Sequence, residues 1–193
     1  MIYRPAHVAI LLSLLLPATA VVTAAERPEK WAKPMTVDGL PNLHQLNDTL
    51  YRGAQPTAAG IRALKKMGVK TIINLRSFHS DRGEIGDTGL AYEHIYMKAW
   101  YAEQKEVVRF LQIVTDPDRA SVFVHCKHGA DRTGLMCAIY RVAIEGWSKD
   151  DAIAEMTTGG FGYHTIWANL TAFLREIDIE AVTPPKAVRA DAD

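Results

Sequence analysis

The stretch His125-Cys126-Lys127-His128-Gly129-Ala130-Asp131-Arg132-Thr133-Gly134 decides how the rest of the chain is read. It follows a short, almost wholly apolar run, Ser121 to His125, with Val122, Phe123 and Val124 at its centre. A run of that kind belongs in the middle of a sheet covered on both faces. Beyond the stretch, Leu135, Ala138, Ile139 and Val142 recur at helical spacing. Between strand and helix, Cys126 to Arg132 must reverse the chain in a tight arc with Gly129 near its middle. Backbone N–H groups of such an arc point inward, and the following helix adds the positive end of its dipole, which makes an anion cradle sized for a phosphate. Cys126 lies at its rim, where the dipole and Arg132 favour the thiolate. Arg132 has the planar fork to hold two phosphate oxygens. Thr133 is placed to hydrogen-bond the sulfur, and His125 to orient the loop. Lys127, His128, Gly129 and Ala130 supply the remaining donors of the substrate-binding arc.

Outward from this stretch, strand and helix signals alternate. Leu50-Tyr51-Arg52 is a short strand candidate, and Thr57 caps a helix with Ile61 and Leu64 on its apolar face and Gly68 as its stop. Val69 to Leu75 and Tyr92 to Met97 are strands, separated by a Ser-, Asp- and Gly-rich loop from Arg76 to Gly89. Val107, Phe110, Leu111 and Val114 define an amphipathic helix. Ser148 begins another that Gly159-Gly160 ends. Ile166, Leu170, Phe173, Leu174 and Ile177 mark the last. The pattern predicts an α/β layered fold, a central, mostly parallel sheet of at least four strands flanked by helices.

The ten-residue loop resembles the signature of the protein tyrosine and dual-specificity phosphatase superfamily: Cys, five residues, Arg, then Ser or Thr, with His before the Cys. Tyr51-Arg52-Gly53-Ala54-Gln55-Pro56 is similar to a segment near the start of small dual-specificity domains. The stretch from Tyr140-Arg141 through Gly146-Trp147 to Gly159-Gly160-Phe161-Gly162 is similar to bacterial periplasmic members. The resemblance spans roughly residues 43–177. It implies a phosphomonoester hydrolase working through a phosphocysteine intermediate, with Cys126 as nucleophile and no cofactor or metal. Phosphorylated proteins are the expected partners. A phosphoinositide or inositol-phosphate phosphatase of the same chemistry and a catalytically weak phosphate-binding module are the alternatives.

The chemistry also needs an acid for the leaving oxygen. In this superfamily an Asp on an earlier loop serves, but the corresponding Tyr96-Met97-Lys98-Ala99-Trp100-Tyr101-Ala102-Glu103 holds no Asp. Asp131 is the replacement expected here and Glu103 the alternative, with Asp81, Asp87 or water behind them. As structural residues, Asp131 would pair with Arg132 or a loop N–H, and Glu103 would favour a helix's first turn. Lys127 and His128, with Arg76 and Lys98, would suit a polyanionic substrate. Trp100, Tyr101, Phe161, Tyr163 and Trp167 either wall a ring pocket or simply pack.

Bulk properties narrow the field. The chain has 193 residues and balanced charge, 22 basic against 22 acidic, which excludes a nucleic-acid binder and a polybasic membrane-surface protein. Met1 to His7 carries Arg4 and no acid. Val8 to Leu16 is apolar but for Ser13, and Ala18-Thr19-Ala20 and Thr23-Ala24-Ala25 offer small residues. This is the layout of a signal peptide (residues 1–25) cleaved after Ala20 or Ala25, hence an exported, periplasmic protein with no stable membrane insertion afterwards. An uncleaved anchor is the competing reading, for which the run is short. An extended lead-in (26–42), a phosphatase domain (43–180) and a flexible tail (181–193) follow, in a chain expected to be monomeric. The two cysteines, Cys126 and Cys137, stand at a strand end and inside a helix, so no disulfide joins them and Cys137 reads as a buried apolar residue. Zinc fails because His125, Cys126 and His128 are too crowded for one tetrahedral site. Sulfur transfer fails because its loops are usually one residue shorter.

Overall fold

The computed structural model describes residues 27–185, so the expected signal peptide lies outside the described residues. Six strands form one sheet: β1 (Lys33–Pro34), β2 (His44–Asn47), β3 (Leu50–Gly53), β4 (Thr71–Asn74), β5 (Ala91–His94) and β6 (Val122–His125). Their order is β1-β2-β3-β6-β4-β5; β3, β6, β4 and β5 are parallel, and β1 and β2 form an antiparallel edge. Helices α1 (Ala58–Lys66), α2 (Arg82–Ile85), α3 (Gln104–Val114), α4 (Asp131–Ala143), α5 (Lys149–Thr158), α6 (Ala168–Glu176) and α7 (Ile179–Val182) flank it, with a 3-10 turn at Thr165–Trp167. The α/β class and the mostly parallel sheet are as the sequence predicts.

Strand alternation divides the core between two faces. Ile73, Val122 and Val124 join the larger cluster with Val107, Phe110, Leu135 and Ile139 of α3 and α4. Ile72 and Phe123 face the other way, onto Ile61 and Leu64 of α1 and Ile85 of α2. All four residues of β6 are buried, as a central strand requires. Because β6 lies between β3 and β4, the carboxyl ends of three parallel strands converge on Cys126, with Gly53 and Asn74 both in register with His125. In open α/β sheets ligands bind at such a convergence.

Four expectations need correction. Residues 26–42 are not merely a lead-in: β1 lies here, Ala32 and Leu40 are buried, and the Ala32 N–H donates to Glu155 of α5 at 2.6 Å. The polar loop 76–89 contains the single turn α2, seated by the buried Ile85. Ile166 is exposed in the 3-10 turn rather than buried on the last helix, which starts two residues later. At the other end, α7 runs to Val182, itself buried, so the folded part extends past residue 180.

Candidate active site

The arc from Cys126 to Arg132 is held from outside by its carbonyls. Gly129 O accepts from Arg52 Nη2 at 2.7 Å, His128 O from Asn42 Nδ2 at 2.9 Å, and Lys127 O from the Gln55 N–H at 3.3 Å. Among the described residues, the N–H groups of Lys127, His128, Gly129 and Ala130 donate to no protein acceptor. Thirteen-residue α4 begins at Asp131 without a side-chain cap. Free loop N–H groups beside a helix N-terminus are the components an anion cradle needs. Gly129 makes the arc possible: its φ is +71°, and a Cβ there would meet the Gly53 carbonyl carbon at 2.4 Å.

Arg52, fully buried, reaches under the loop with its guanidinium 3.6 Å from the Phe161 ring centre. Burial pushes its pKa down, opposed by the nearby Cys137, Glu155 and Cys126. The Arg-Gly-Ala-Gln run that leads out of β3 therefore acts as the underside of the loop, with Arg52 and Gln55 each tying one carbonyl.

Behind the cysteine lies a polar chain that the sequence reading missed. His125 is fully buried, and its Nε2 is 2.7 Å from Asp81 Oδ2. Asp81, also fully buried, accepts from Gln55 Nε2 at 2.7 Å, and Gln55 Oε1 accepts from Arg76 Nη1 at 3.0 Å. Burial works against the Asp81 charge, but the hydrogen bond and charge of His125, then Gln55 and His79, hold its carboxyl below the usual range. His125 shares its face of β6 with Phe123, the rings 5.6 Å apart; its Nε2 meets Asp81, and its Nδ1 lies 3.3 Å from the Cys126 carbonyl oxygen.

Cys126 and Cys137 are both buried free thiols. In α4, burial pushes the Cys137 thiol up to about 11, which makes it inert packing. Thr133 Oγ1, in the first turn of α4, is buried with no hydrogen-bond partner among the described residues. Arg132 Nη1 donates to the carbonyls of Leu75 at 3.2 Å and Met97 at 3.1 Å, which anchors one edge of the guanidinium. The cleft before it, about 220 Å³, is lined by Arg76, Ser77, Phe78, Ala99, Trp100, Lys127, Arg132 and Trp167.

Of the aromatic candidates, Trp100 and Trp167 line this cleft, whereas Phe161 is buried under Arg52 and Tyr163 packs against the core. Phe78, 91% exposed at the rim, was not foreseen. Lys127 and Arg76 line the cleft, but His128 and Lys98 do not. The two acid candidates diverge. Glu103 is the N-cap of α3, its side chain and that of Glu106 forming a reciprocal capping box. Asp131 is nearly buried: Oδ1 accepts the His164 N–H at 2.9 Å, and Oδ2 is 2.9 Å from His164 Nδ1. Asp131 thus has a partner that no local pattern announced.

A buried thiol at the start of an arc of free N–H groups, an anchored guanidinium and an unpartnered hydroxyl fit one class, a phosphatase with a cysteine nucleophile. The family model described as a DSP-PTPase phosphatase fused to NAD+ kinase matches residues 30–169. The dual specificity protein phosphatase TpbA of Pseudomonas aeruginosa (strain UCBPP-PA14) is 34% identical over 167 residues, 86% of this chain and 75% of that protein. A crystal structure of P. aeruginosa TpbA, a Cys-to-Ser variant in complex with pTyr, matches with TM-score 0.72 and 32% identity over 81% of this chain and 96% of that one. The core catalytic domain of SIW14 from S. cerevisiae shares the fold, with TM-score 0.67 and 19% identity over 76% of this chain and 91% of that one. The chain belongs to the DSP-PTPase phosphatase family and is a cysteine-dependent phosphomonoester hydrolase of the tyrosine/dual-specificity type.

Proposed function

We propose that this phosphatase acts on phosphorylated proteins, phosphotyrosyl side chains foremost, and that Asp131, paired with His164, supplies the proton to the leaving oxygen. The observation that carries the substrate reading is the cleft beside Arg132. Phe78, Trp100 and Trp167 give it apolar aromatic walls, while Arg76, Lys127 and Arg132 give it cations for the phosphoryl group. TpbA, a third identical, is known in complex with pTyr.

In this account Cys126 Sγ attacks phosphorus while the ester P–O bond breaks, and the departing oxygen takes the proton of Asp131. Loop N–H groups and Arg132 hold the non-bridging oxygens as charge develops on them. Water then attacks the phosphocysteine, returning its proton to the same carboxylate. The S–P bond breaks, and the Thr133 hydroxyl receives the outgoing thiolate. Gln55, Asp81 and His125 position the loop from beneath. Lys127, His128, Gly129 and Ala130 contribute backbone donors to the arc, and no cofactor enters the steps.

The N-terminal layout of residues 1–25 supports export, with the mature monomer working in the periplasm. Recovery of the protein from a periplasmic extract, starting at residue 21 or 26, tests this; recovery with Met1 intact contradicts it. For the substrate, the full chain is assayed against phosphotyrosyl and phosphoseryl peptides and soluble phosphoinositides. The proposal predicts the highest kcat/KM on phosphotyrosyl peptides. A preference of tenfold or more for phosphoinositides would overturn it.

A further inference from the structure

The bend around the phosphate cradle carries a second set of donors. His128 of the arc, Asp131 of the first turn of α4 and His164 before the 3-10 turn each offer one ligand atom, and these atoms lie within 4.8 Å of one another. Asp131 Oδ2 and Oδ1 are 2.9 and 3.1 Å from His164 Nδ1, and the rings of His128 and His164 are 5.4 Å apart. Nitrogen and oxygen ligands held about 2.1 Å from one ion stand roughly 3.0–3.4 Å from each other. The Asp131–His164 edge is thus within a few tenths of an ångström of that spacing, and exposed His128 can close the third corner by turning its side chain. The His164 backbone N–H on Asp131 Oδ1 orients the carboxylate from outside, as second-layer hydrogen bonds do around bound metals.

We propose that His128, Asp131 and His164 bind a borderline divalent transition-metal ion of the Zn²⁺ class, and that its binding switches the phosphatase off. Two imidazoles and one carboxylate favour such ions over Mg²⁺ or Ca²⁺, which take oxygen ligands. Three protein ligands leave a position for water. The second such cluster among the described residues, His79, Asp81 and Glu84, has one imidazole and two carboxylates. Its Asp81 oxygens are already committed to Gln55 and His125 in the interior. An ion at the His128 site takes the place of the proton in the Asp131–His164 pair and ties both ends of the arc to residue 164. This inhibitory arm rests on Asp131 as proton donor; the binding arm does not.

The two arms are measured separately. Binding is read on the full chain carrying Cys126→Ser, which removes the thiolate as a rival ligand, by Zn²⁺ calorimetry and Co²⁺ absorption. One ion per chain is expected, with nitrogen/oxygen ligand-field bands and no sulfur-to-cobalt charge transfer. His128→Ala and His164→Ala, both at exposed positions, should each weaken affinity at least tenfold. Absence of stoichiometric binding, or affinity unchanged from the parent chain in either variant, overturns the site. Inhibition is read on the otherwise wild-type enzyme with a phosphotyrosyl peptide. Zn²⁺ should abolish turnover, and the half-inhibiting concentration should rise at least tenfold in His128→Ala. Binding without that inhibition overturns the switch. Loss of the proton-donor reading shows instead in the leaving-group comparison of Asp131→Asn.

Discussion

Asp81 stands 44 residues from His125 in the sequence and 2.7 Å from it in the fold, buried together behind the nucleophile. Because the folded carboxyl titrates below its ordinary value of 3.8, its stabilisation is complete above that pH and is lost as pH falls through the folded value. In urea unfolding, Asp81→Asn should cost about 1–3 kcal/mol at neutral pH, and the gap from wild type should narrow below pH 3.8. A gap that widens in acid would contradict the assignment. For Asp131→Asn, turnover of an alkyl or phosphotyrosyl substrate should fall by about 10²–10⁴ while an activated aryl phosphate is largely spared. Equal loss on both would remove Asp131 as the proton donor. Cys126, Arg132 and Thr133 were legible because they are contiguous and their spacing is the chemistry. The Asp81–His125 and Asp131–His164 pairs were not, since nothing local in the sequence announces a contact 44 or 33 residues away.

Among the elements, loop and strand fit each other at Gly129. A methyl there would strike the Gly53 carbonyl group at 2.4–2.5 Å, with φ in the left-handed region. Gly129→Ala should destabilise by about 1–3 kcal/mol and reduce kcat/KM more than thermal stability alone accounts for, since the N–H cradle is displaced. Calorimetric melting with parallel kinetics checks this; unchanged kinetics would mean the arc tolerates another path. Apolar spacing made α1, α3 and α4 readable, and caps marked the starts of α1 and α5: Thr57 Oγ1 accepts the Gly60 N–H, and Ser148 Oγ the Asp151 N–H. The four-residue α2 is too short to show a period. Ile166 fitted the helical spacing, yet the chain arrives there in a 3-10 turn, which rotates its side chain into solvent.

Across the whole molecule, a buried ion pair joins the N-terminal segment to the helical layer. Arg141 of α4 meets Glu155 of α5 through two 2.8 Å bonds, and Glu155 also accepts the Ala32 N–H. Burial opposes the Arg141 charge, but the hydrogen bonds it donates to Glu155 and Glu145 raise its pKa above the ordinary value. Breaking such a pair from one side leaves a buried charge unmatched, so Arg141→Met should cost about 3–5 kcal/mol in equilibrium unfolding. The exposed Lys30–Asp151 pair should contribute about 1 kcal/mol or less. Comparable effects at the two pairs would contradict this division. The segment from residue 26 to 42 read as a lead-in because its prolines and charges hide the few positions that matter: Ala32 and Leu40 in the core and Arg27, whose guanidinium bonds the carbonyls of Ala32 and Gly159. A sheet edge of two residues leaves no periodic trace.

The central claim, that Cys126 carries the phosphoryl group in transit, is tested by acid-quenching the full-length enzyme during turnover of an aryl phosphate in EDTA and mass-analysing its peptides. The account predicts one added phosphoryl group on the peptide containing Cys126, with both adduct and turnover gone in Cys126→Ser. Turnover that survives Cys126→Ser, or a phosphoryl group trapped on another residue, would contradict it.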